Sequence, residues 1–275
     1  MQERFLKHAT NVQVGCKSVP ISRCKSGGME KAVDAVTLEE PLEIRVGGKS
    51  FSVTMRTPGH DLDLVAGFLL GEGIISVGDL SRLKQSGRNG VNLSVAGKLS
   101  SRLRRLQSRF FVSSSCGLCG RASVAGVRRR LGGVRSDAAI AASALRRLPS
   151  DLRQRQETFG VTGGLHAAAL FDDRGEILVV REDVGRHNAV DKVIGSWARG
   201  GDASRIPIGL LVSGRSSFEI VQKALAAKIP IVAAVSAPSS LAVELAREAG
   251  MTLVGFLRGE SFNVYSRADR VREKS

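Results

Sequence analysis

The chain has 275 residues, 43% hydrophobic and 24% charged, a composition that suits a soluble globular protein of one large domain or two modest ones. Its formal net charge of +15 is local: residues 81–155 hold 17 Lys and Arg against Asp137 and Asp151, while the rest of the chain holds 24 bases and 24 acids. No uncharged apolar run approaches the ~20 residues of a membrane helix, four cysteines are too few for a disulfide framework, and the opening MQERFLKHAT lacks a signal peptide's apolar stretch, so a cytoplasmic protein with no membrane partner is expected.

Residues 1–34, with Ser26, Gly27 and Gly28 and little periodicity, are expected to be a flexible leader. Residues 35–108 are expected to form a smaller N-terminal α+β subdomain. In it IRV and FSVTM flank Gly47-Gly48, which predicts a hairpin. DLDLVAGFLLGEGII has Leu62, Val65 and Leu69 at helical spacing, with glycines at its end. VNLSV reads as a short strand. KLSSRLRRLQSRF reads as a helix, with Leu99, Leu103, Leu106 and Phe110 on one face and a basic outer face. Residues 109–275 are expected to form an α/β domain. RFFVSSSC is an extended segment leading into a CxxC, GRASVAGVRRRL a helix, and DAAIAASALRRLPSDLRQRQETF another, broken near Pro149. AAALFDDRGEILVVRED is a hairpin about Asp-Asp-Arg-Gly. GRHNAVDKVIGSWAR, IGLLVSG, SSFEIVQKALAAKI, PIVAAVSA, SSLAVELAREAG and MTLVGFLR then alternate helix with strand. That alternation predicts a parallel or mixed sheet covered by helices.

In open α/β sheets, ligands bind at the carboxyl ends of strands. Three consecutive strand ends here are VSGRSS, VSAPSS and FLRGES, and the first two lead into helices. Helix N-termini attract phosphate, and Arg215 and Arg258 add bidentate donors beside Ser213 and Gly214. A nucleotide-like ligand fits this pattern; serines and prolines that only cap helices are the simpler reading.

Cys116 and Cys119 form the CxxC of SSSCGLCG. A structural zinc site needs four ligands, and Cys16, Cys24 and the four histidines show no matching spacing, so no zinc is expected. A zinc deaminase needs H-x-E before P-C-x-x-C, but Ser115 precedes Cys116 and His166 is followed by Ala167 and Ala168. Thiol–disulfide exchange stays open as an oxidoreductase alternative, although no aromatic residue adjoins the CxxC. Sulfur nucleophile chemistry suits the segment better. A helix start and the flanking Arg109 and Arg121 favour a thiolate, Gly117 and Gly120 give the loop freedom, and the second thiol can resolve an adduct. The basic surplus around the motif reads either as a solvated surface or as a field that attracts anions to it. Nucleic acid is a weaker partner, because Trp197 and Tyr265 are the only residues of their kinds and stacking platforms are scarce.

SSSCGLCG, FGVTGGLHAAAL, REDVGRHNAVDKVIG, LLVSGRSSFEIVQKAL, VSAPSSLAVELA and GFLRGESFNVYS, in this order, resemble the FdhD family, and MRTPGHDLDLVAGFLLGEGI resembles its N-terminal half. The resemblance covers residues 35–266 and implies a sulfurtransferase of formate dehydrogenase maturation. It implies a cytidine-deaminase-like three-layer α/β domain with a mixed sheet and no zinc chemistry. It further implies a cysteine desulfurase as sulfur donor, the molybdenum cofactor bis(molybdopterin guanine dinucleotide) as acceptor, and formate dehydrogenase apoprotein as client; a homodimer is compatible with it. Cys116, nearest the expected helix start, is then the persulfide carrier, and Cys119 is its exchange partner or the carrier in its place. Phe256, Leu257, Arg258, Gly259, Glu260 and Ser261 match the family's cofactor-binding segment. His166, Asp183 and His187, with Glu182, are candidate proton-transfer groups, or else caps and sheet-edge hydrogen-bonding groups. Lys228 stands where the family often has glycine, and the leader with Cys16 and Cys24 matches nothing in the family.

Overall fold

The computed structural model describes residues 15–96, 126, 131–202 and 204–273. The described part of the expected leader is regular. β1 (Cys16–Lys25) and β2 (Gly28–Thr37) form a ten-residue antiparallel ribbon in register from Cys16–Thr37 to Lys25–Gly28. Ser26-Gly27 is its turn, with Gly28 at φ 117°, so the small residues read as flexibility are hairpin chemistry. The ribbon is anchored at its base, where Leu38 N–H donates to Gly15 O at 2.8 Å and Thr37 Oγ1 meets Thr162 Oγ1 at 3.1 Å.

The next unit follows the expected order. β3 (Glu40–Val46) and β4 (Lys49–Arg56) turn at Gly47 and Gly48, both left-handed at φ 61° and 78°. α1 (Asp61–Gly71) follows, then β5 (Leu83–Gln85) and β6 (Gly90–Leu93), the strand expected at VNLSV. The sheet order is β4-β3-β6-β5, and Leu42, Ile44, Val91 and Leu93 pack with Leu64, Val65 and Leu69 of α1. The helix expected from KLSSRLRRLQSRF and most of the segment through GRASVAGVRRRL lie outside the described residues.

The larger unit opens with β7 (Ile140–Ala141), α2 (Ala142–Gln154) and α3 (Glu157–Thr162). α2 runs through Pro149, and the break falls at Arg155-Gln156 instead. The lost hydrogen bond is tolerated because Leu145, Leu148 and Leu152 pin that face to the sheet. Then come β8 (His166–Phe171), β9 (Ile177–Asp183), α4 (Arg186–Gly200), β10 (Gly209–Val212), α5 (Phe218–Ala226), β11 (Ile231–Ala234), α6 (Ser240–Ala249), β12 (Thr252–Arg258), β13 (Ser261–Ser266) and β14 (Val271–Arg272). The six-stranded sheet has order β13-β12-β11-β10-β8-β9, with β10, β11 and β12 parallel and the other neighbours antiparallel. Side chains alternate between its faces. Leu210, Val212, Val232, Ala234 and Leu253 meet α4, α5 and α6, while Leu211, Ile231, Ala233 and Val254 meet α2. This is the expected α/β arrangement in three layers on a mixed sheet, beside a smaller α+β unit.

The two units join at a close helix crossing. A Cβ added to Gly67 of α1 would lie 1.9 Å from the carbonyl oxygen of Asp191, and one added to Gly195 of α4 would lie 1.9 Å from that of Asp63. Beside the crossing, Asp63 pairs with Arg181 at 3.1 Å and Arg199 at 2.5 Å, and Lys223 of α5 pairs with the buried Asp191 at 2.8 Å. Lys228 has φ 59°, just past α5, with its N–H on Leu225 O and the following Ile229 N–H on Ala224 O. This left-handed exit explains why glycine suits the position.

Two outcomes follow for stability. Gly67→Ala forces the helices apart, and unfolding in urea should show a loss of about 1–3 kcal/mol. An unchanged midpoint would mean that the crossing is loose. Lys228→Gly removes left-handed strain of about 1 kcal/mol but also the Lys228 Nζ contact to Leu131 O, so its melting temperature should equal or exceed that of the native chain.

Candidate functional site

The carboxyl ends of the parallel strands converge on one edge of the sheet, and backbone hydrogen bonds hold the three together. Past β10, Ser213 N–H donates to Ala167 O at 3.0 Å and Ser213 Oγ accepts from Ala167 N–H at 2.9 Å. This extends the pairing with β8 and sets His166 against Gly214, where an added Cβ would stand 3.4 Å from His166 Nδ1. Ser216 donates its N–H to Ala237 O at 3.2 Å and accepts from Ser239 N–H at 3.0 Å, which ties the end of β10 to the end of β11. Phe256 N–H donates to Ser236 O at 3.1 Å, and Gly255 approaches Pro238 so closely that a Cβ would be 2.8 Å from its Cδ, which ties β11 to β12.

The third strand end differs in kind from the other two. VSGRSS and VSAPSS start α5 and α6, and Ser239 Oγ accepts from Ala242 N–H as an N-cap. FLRGES instead turns at Gly259 (φ 56°) into β13, so it is a hairpin tip. Phe256 sits at φ 53°, a strained conformation for a bulky side chain. Arg258 is exposed, with its guanidinium 5.6 Å from the Phe256 ring, and Arg146 of α2 braces the tip through Glu260 O at 3.0 Å. Leu257 is fully buried against α2, so its side chain holds the hairpin down and offers no contact to a ligand. Ser213, Gly214 and Phe256 are half-buried at the edge, while Arg215, Gly259, Glu260 and Ser261 are exposed.

The candidate proton-transfer groups separate into two kinds. His187, in the first turn of α4, has Nε2 3.2 Å from Ser217 Oγ and 3.9 Å from the Glu219 carboxylate. Burial, then Arg186 and Lys223, push its pKa down to about 4, with Glu219 opposing. Burial and Arg186 also lower His166, against Asp183. Both imidazoles are therefore neutral near pH 7, and Arg186 is the full positive charge beside them. Asp183 is a correction to the expectation of proton transfer. It is fully buried, sits 2.7 Å from Lys192 Nζ, and accepts from Thr57 N–H, Gly185 N–H and Asn188 Nδ2. Its lone pairs are committed to the joint between the units, which leaves none for a substrate proton. Glu182 accepts from the N–H groups of Thr158 and Phe159 and so caps α3.

Thr57 and Lys192 were missed in the sequence. Lys192 Nζ also reaches Thr57 O at 2.9 Å, and Val184 N–H donates to Thr57 Oγ1 at 3.1 Å, which locks the start of α4 to the smaller unit. A lysine in an otherwise apolar helical stripe was the available signal. Cys116 and Cys119, with Arg109 and Arg121, lie outside the described residues. Among the described residues, no group of three His, Cys, Asp or Glu side chains is disposed to hold a metal, and no helix is long and apolar enough to cross a membrane.

Comparison with known proteins adds to this geometry. The family model of the FdhD/NarQ family matches residues 37–272. Proteins named "Sulfur carrier protein FdhD" are similar across most of their length. That of Mycolicibacterium paratuberculosis is 51% identical over 86% of this chain and 92% of its own. That of Nocardia farcinica is 49% identical over 93% and 94%, and that of Sulfolobus acidocaldarius 44% identical over 93% and 98%. The crystal structure of a protein from Desulfotalea psychrophila, assigned as a formate dehydrogenase accessory protein, superposes with a TM-score of 0.74 at 23% identity, covering 94% of this chain and 100% of that one. At that identity the superposition speaks to the fold.

The lowered pKa of His187 gives a signed prediction. Its folded pKa of about 4 lies below the unfolded value of about 6.5, so the unfolded chain binds more protons between the two. Its contribution to stability is present above pH 6.5 and is lost as pH falls toward 4. Urea unfolding across this window should show a steeper acid loss for the native chain than for His187→Gln. Parallel curves would show that His187 titrates normally.

Proposed function

Because the chain belongs to the FdhD/NarQ family, we propose that it is a sulfur carrier serving formate dehydrogenase, loaded by a cysteine desulfurase and discharging to the molybdenum cofactor in the cytoplasm. The Cys116 thiolate attacks the outer sulfur of the desulfurase persulfide. The donor's S–S bond breaks, its electron pair leaves with the donor cysteine, and Cys116 holds the sulfur as a new persulfide. Attack by the Cys119 thiolate on the inner sulfur of Cys116 releases hydrosulfide and leaves a Cys116–Cys119 disulfide. Two thiols are oxidised, the carried sulfur is reduced, and a dithiol reductant restores the pair. Arg109 and Arg121 favour the thiolate form.

The acceptor, bis(molybdopterin guanine dinucleotide) with its metal, is a substrate of this reaction. What supports a phosphate-bearing acceptor is the convergent sheet edge, with three strand ends, two helix N-termini and the exposed Arg258 on its hairpin. In this reading Arg258 and Arg215 contact phosphate, Gly259, Glu260 and Ser261 offer backbone groups, Phe256 lies against the guanine, and Ser213 and Gly214 line the β10 end. His166 and His187, neutral at pH 7, would offer hydrogen bonds to the acceptor at this edge, and with its pKa near 4 His187 is too weak a base to deprotonate hydrosulfide.

Mass spectrometry after incubation with a cysteine desulfurase and cysteine should find one added sulfur on Cys116, removable by reductant and absent from Cys116→Ala. An unmodified Cys116 beside an active desulfurase would overturn the carrier assignment. Calorimetry with GDP should show binding to the native chain and to Cys116→Ala, weakened about tenfold or more in Arg258→Ala, the equivalent of one charge-assisted hydrogen bond. Equal binding by Arg258→Ala would remove the hairpin from the site.

A further inference from the structure

We infer that the entrance to α5 is a phosphate-binding subsite built by Arg186, His187, Ser216 and Ser217, separate from the Arg258 hairpin. It rests on the sheet edge being a phosphate surface and not on sulfur transfer.

Three observations meet there. α5 spans nine residues, and its first intrahelical bond is Val221 N–H to Ser217 O at 3.2 Å, so the N–H groups of the first turn lie ahead of the ladder. Its N-cap residue does not cap it: Ser217 Oγ lies 3.2 Å from His187 Nε2 and accepts no first-turn N–H, whereas Ser239 Oγ accepts one in α6. Ser216, immediately before it, is 0% exposed, yet its hydroxyl has no hydrogen-bond partner. Ser216 lies between Gly214, which packs on His166, and Ser217, which touches His187. Arg186 Nε is likewise buried without a partner, and its charge bears on both histidines.

A buried polar group without a partner costs about 1–3 kcal/mol. Two of them beside an uncapped helix start make an acceptor-rich ligand the matching occupant. A phosphate group supplies several acceptor oxygens for a hydroxyl, a guanidinium and helix N–H groups together. Glu219, 3.9 Å from His187, opposes an anion here, and the charge of Arg186 has to outweigh it. Neutral imidazoles at His166 and His187 can still donate one N–H each.

The diagnostic variant is Ser216→Ala, in the full chain. With no ligand it removes an unpartnered buried hydroxyl, so the melting temperature should be unchanged or raised, whereas a structural hydroxyl would give a fall. Inorganic phosphate should raise the melting temperature of the native chain. That response should weaken in Ser216→Ala, with affinity falling about tenfold, and fall further in Arg186→Gln. Arg258→Ala can remove only the share contributed by the exposed hairpin, so adding Ser216→Ala to it should weaken the response by a further tenfold or so. This separates the subsite from the hairpin, and Cys116→Ala should keep the whole response whatever becomes of the persulfide. GDP serves as the second probe. If its binding weakens alongside that of phosphate in Ser216→Ala, the occupant is a nucleotide's phosphate; if it is retained, the occupant is a free anion. A native chain without a phosphate response at low salt, or variants with an undiminished response, would overturn the inference.

Discussion

The crossing of α1 on α4 is the contact on which the rest of the molecule depends. Two glycines face each other's helix backbones there, so the axes come closer than any side chain permits. The approach sets the position of α4 along its whole length. Asp191 and Lys192 are carried into the interior, where they pair with Lys223 and Asp183. At the other end of α4, Arg199 reaches Asp63 of α1. Isolated buried ion pairs add little net stability over apolar groups of similar size, and losing one partner is what costs heavily, about 3–5 kcal/mol. These pairs therefore act mainly as registers. They permit one placement of the α4 first turn, and that turn carries Arg186 and His187 to the sheet edge.

At the sheet edge, neutral and charged groups are divided between the histidines and the arginines. Burial and neighbouring cations keep both histidines uncharged, so permanent charge comes from arginines. Arg186 is half-buried inside the cluster and Arg258 is exposed on a hairpin. The two act in different dielectric surroundings, strong and local for the first, weaker and salt-screened for the second. The basic surplus of residues 81–155 would add a longer-range attraction to the anionic acceptor proposed above.

The larger unit was legible because its strands and helices alternate with clean periodicities. Gly209–Val212 and Ile231–Ala234 are short apolar runs, and each is followed by a stripe of helical spacing. What was not legible depended on burial or on partners distant in sequence. Asp183 sits in a polar motif that reads the same at a surface and in an interior, and only the approach of Thr57 and Lys192 decides the matter. The ribbon of Cys16–Thr37 is hard to see in the sequence because its Ser-Gly-Gly turn reads equally as a flexible segment and its strands carry mixed charges without clean alternation. β13 has no counterpart among the elements expected from the sequence, because FLRGES reads as a strand end while its turn at Gly259 leads into a returning strand. Gly67 and Gly195 did leave a signal. Glycine inside a helix costs about 1 kcal/mol, so two such positions in neighbouring helices point to a close approach.

Strain completes the account of the edge. Phe256 holds a left-handed backbone at φ 53°, which costs a bulky residue of order 1–3 kcal/mol. The conformation persists because the residues on either side are fixed. Gly255 is wedged against Pro238 and Tyr265, and Leu257 is fully buried beneath the sheet. The pairing of β12 with β13 shifts register between Gly255 and Arg258, so the strain coincides with a bulge. Without that bulge, β12 would run on as a regular strand with side chains alternating between the two helical layers. With it, Phe256 stays half-buried and Arg258 stands clear of the sheet within 5.6 Å of the Phe256 ring. In the reading proposed above, this flat aromatic surface would meet a base and the guanidinium beside it a phosphate. The core residues that hold the bulge in place are therefore as much a part of the candidate site as the side chains that face solvent.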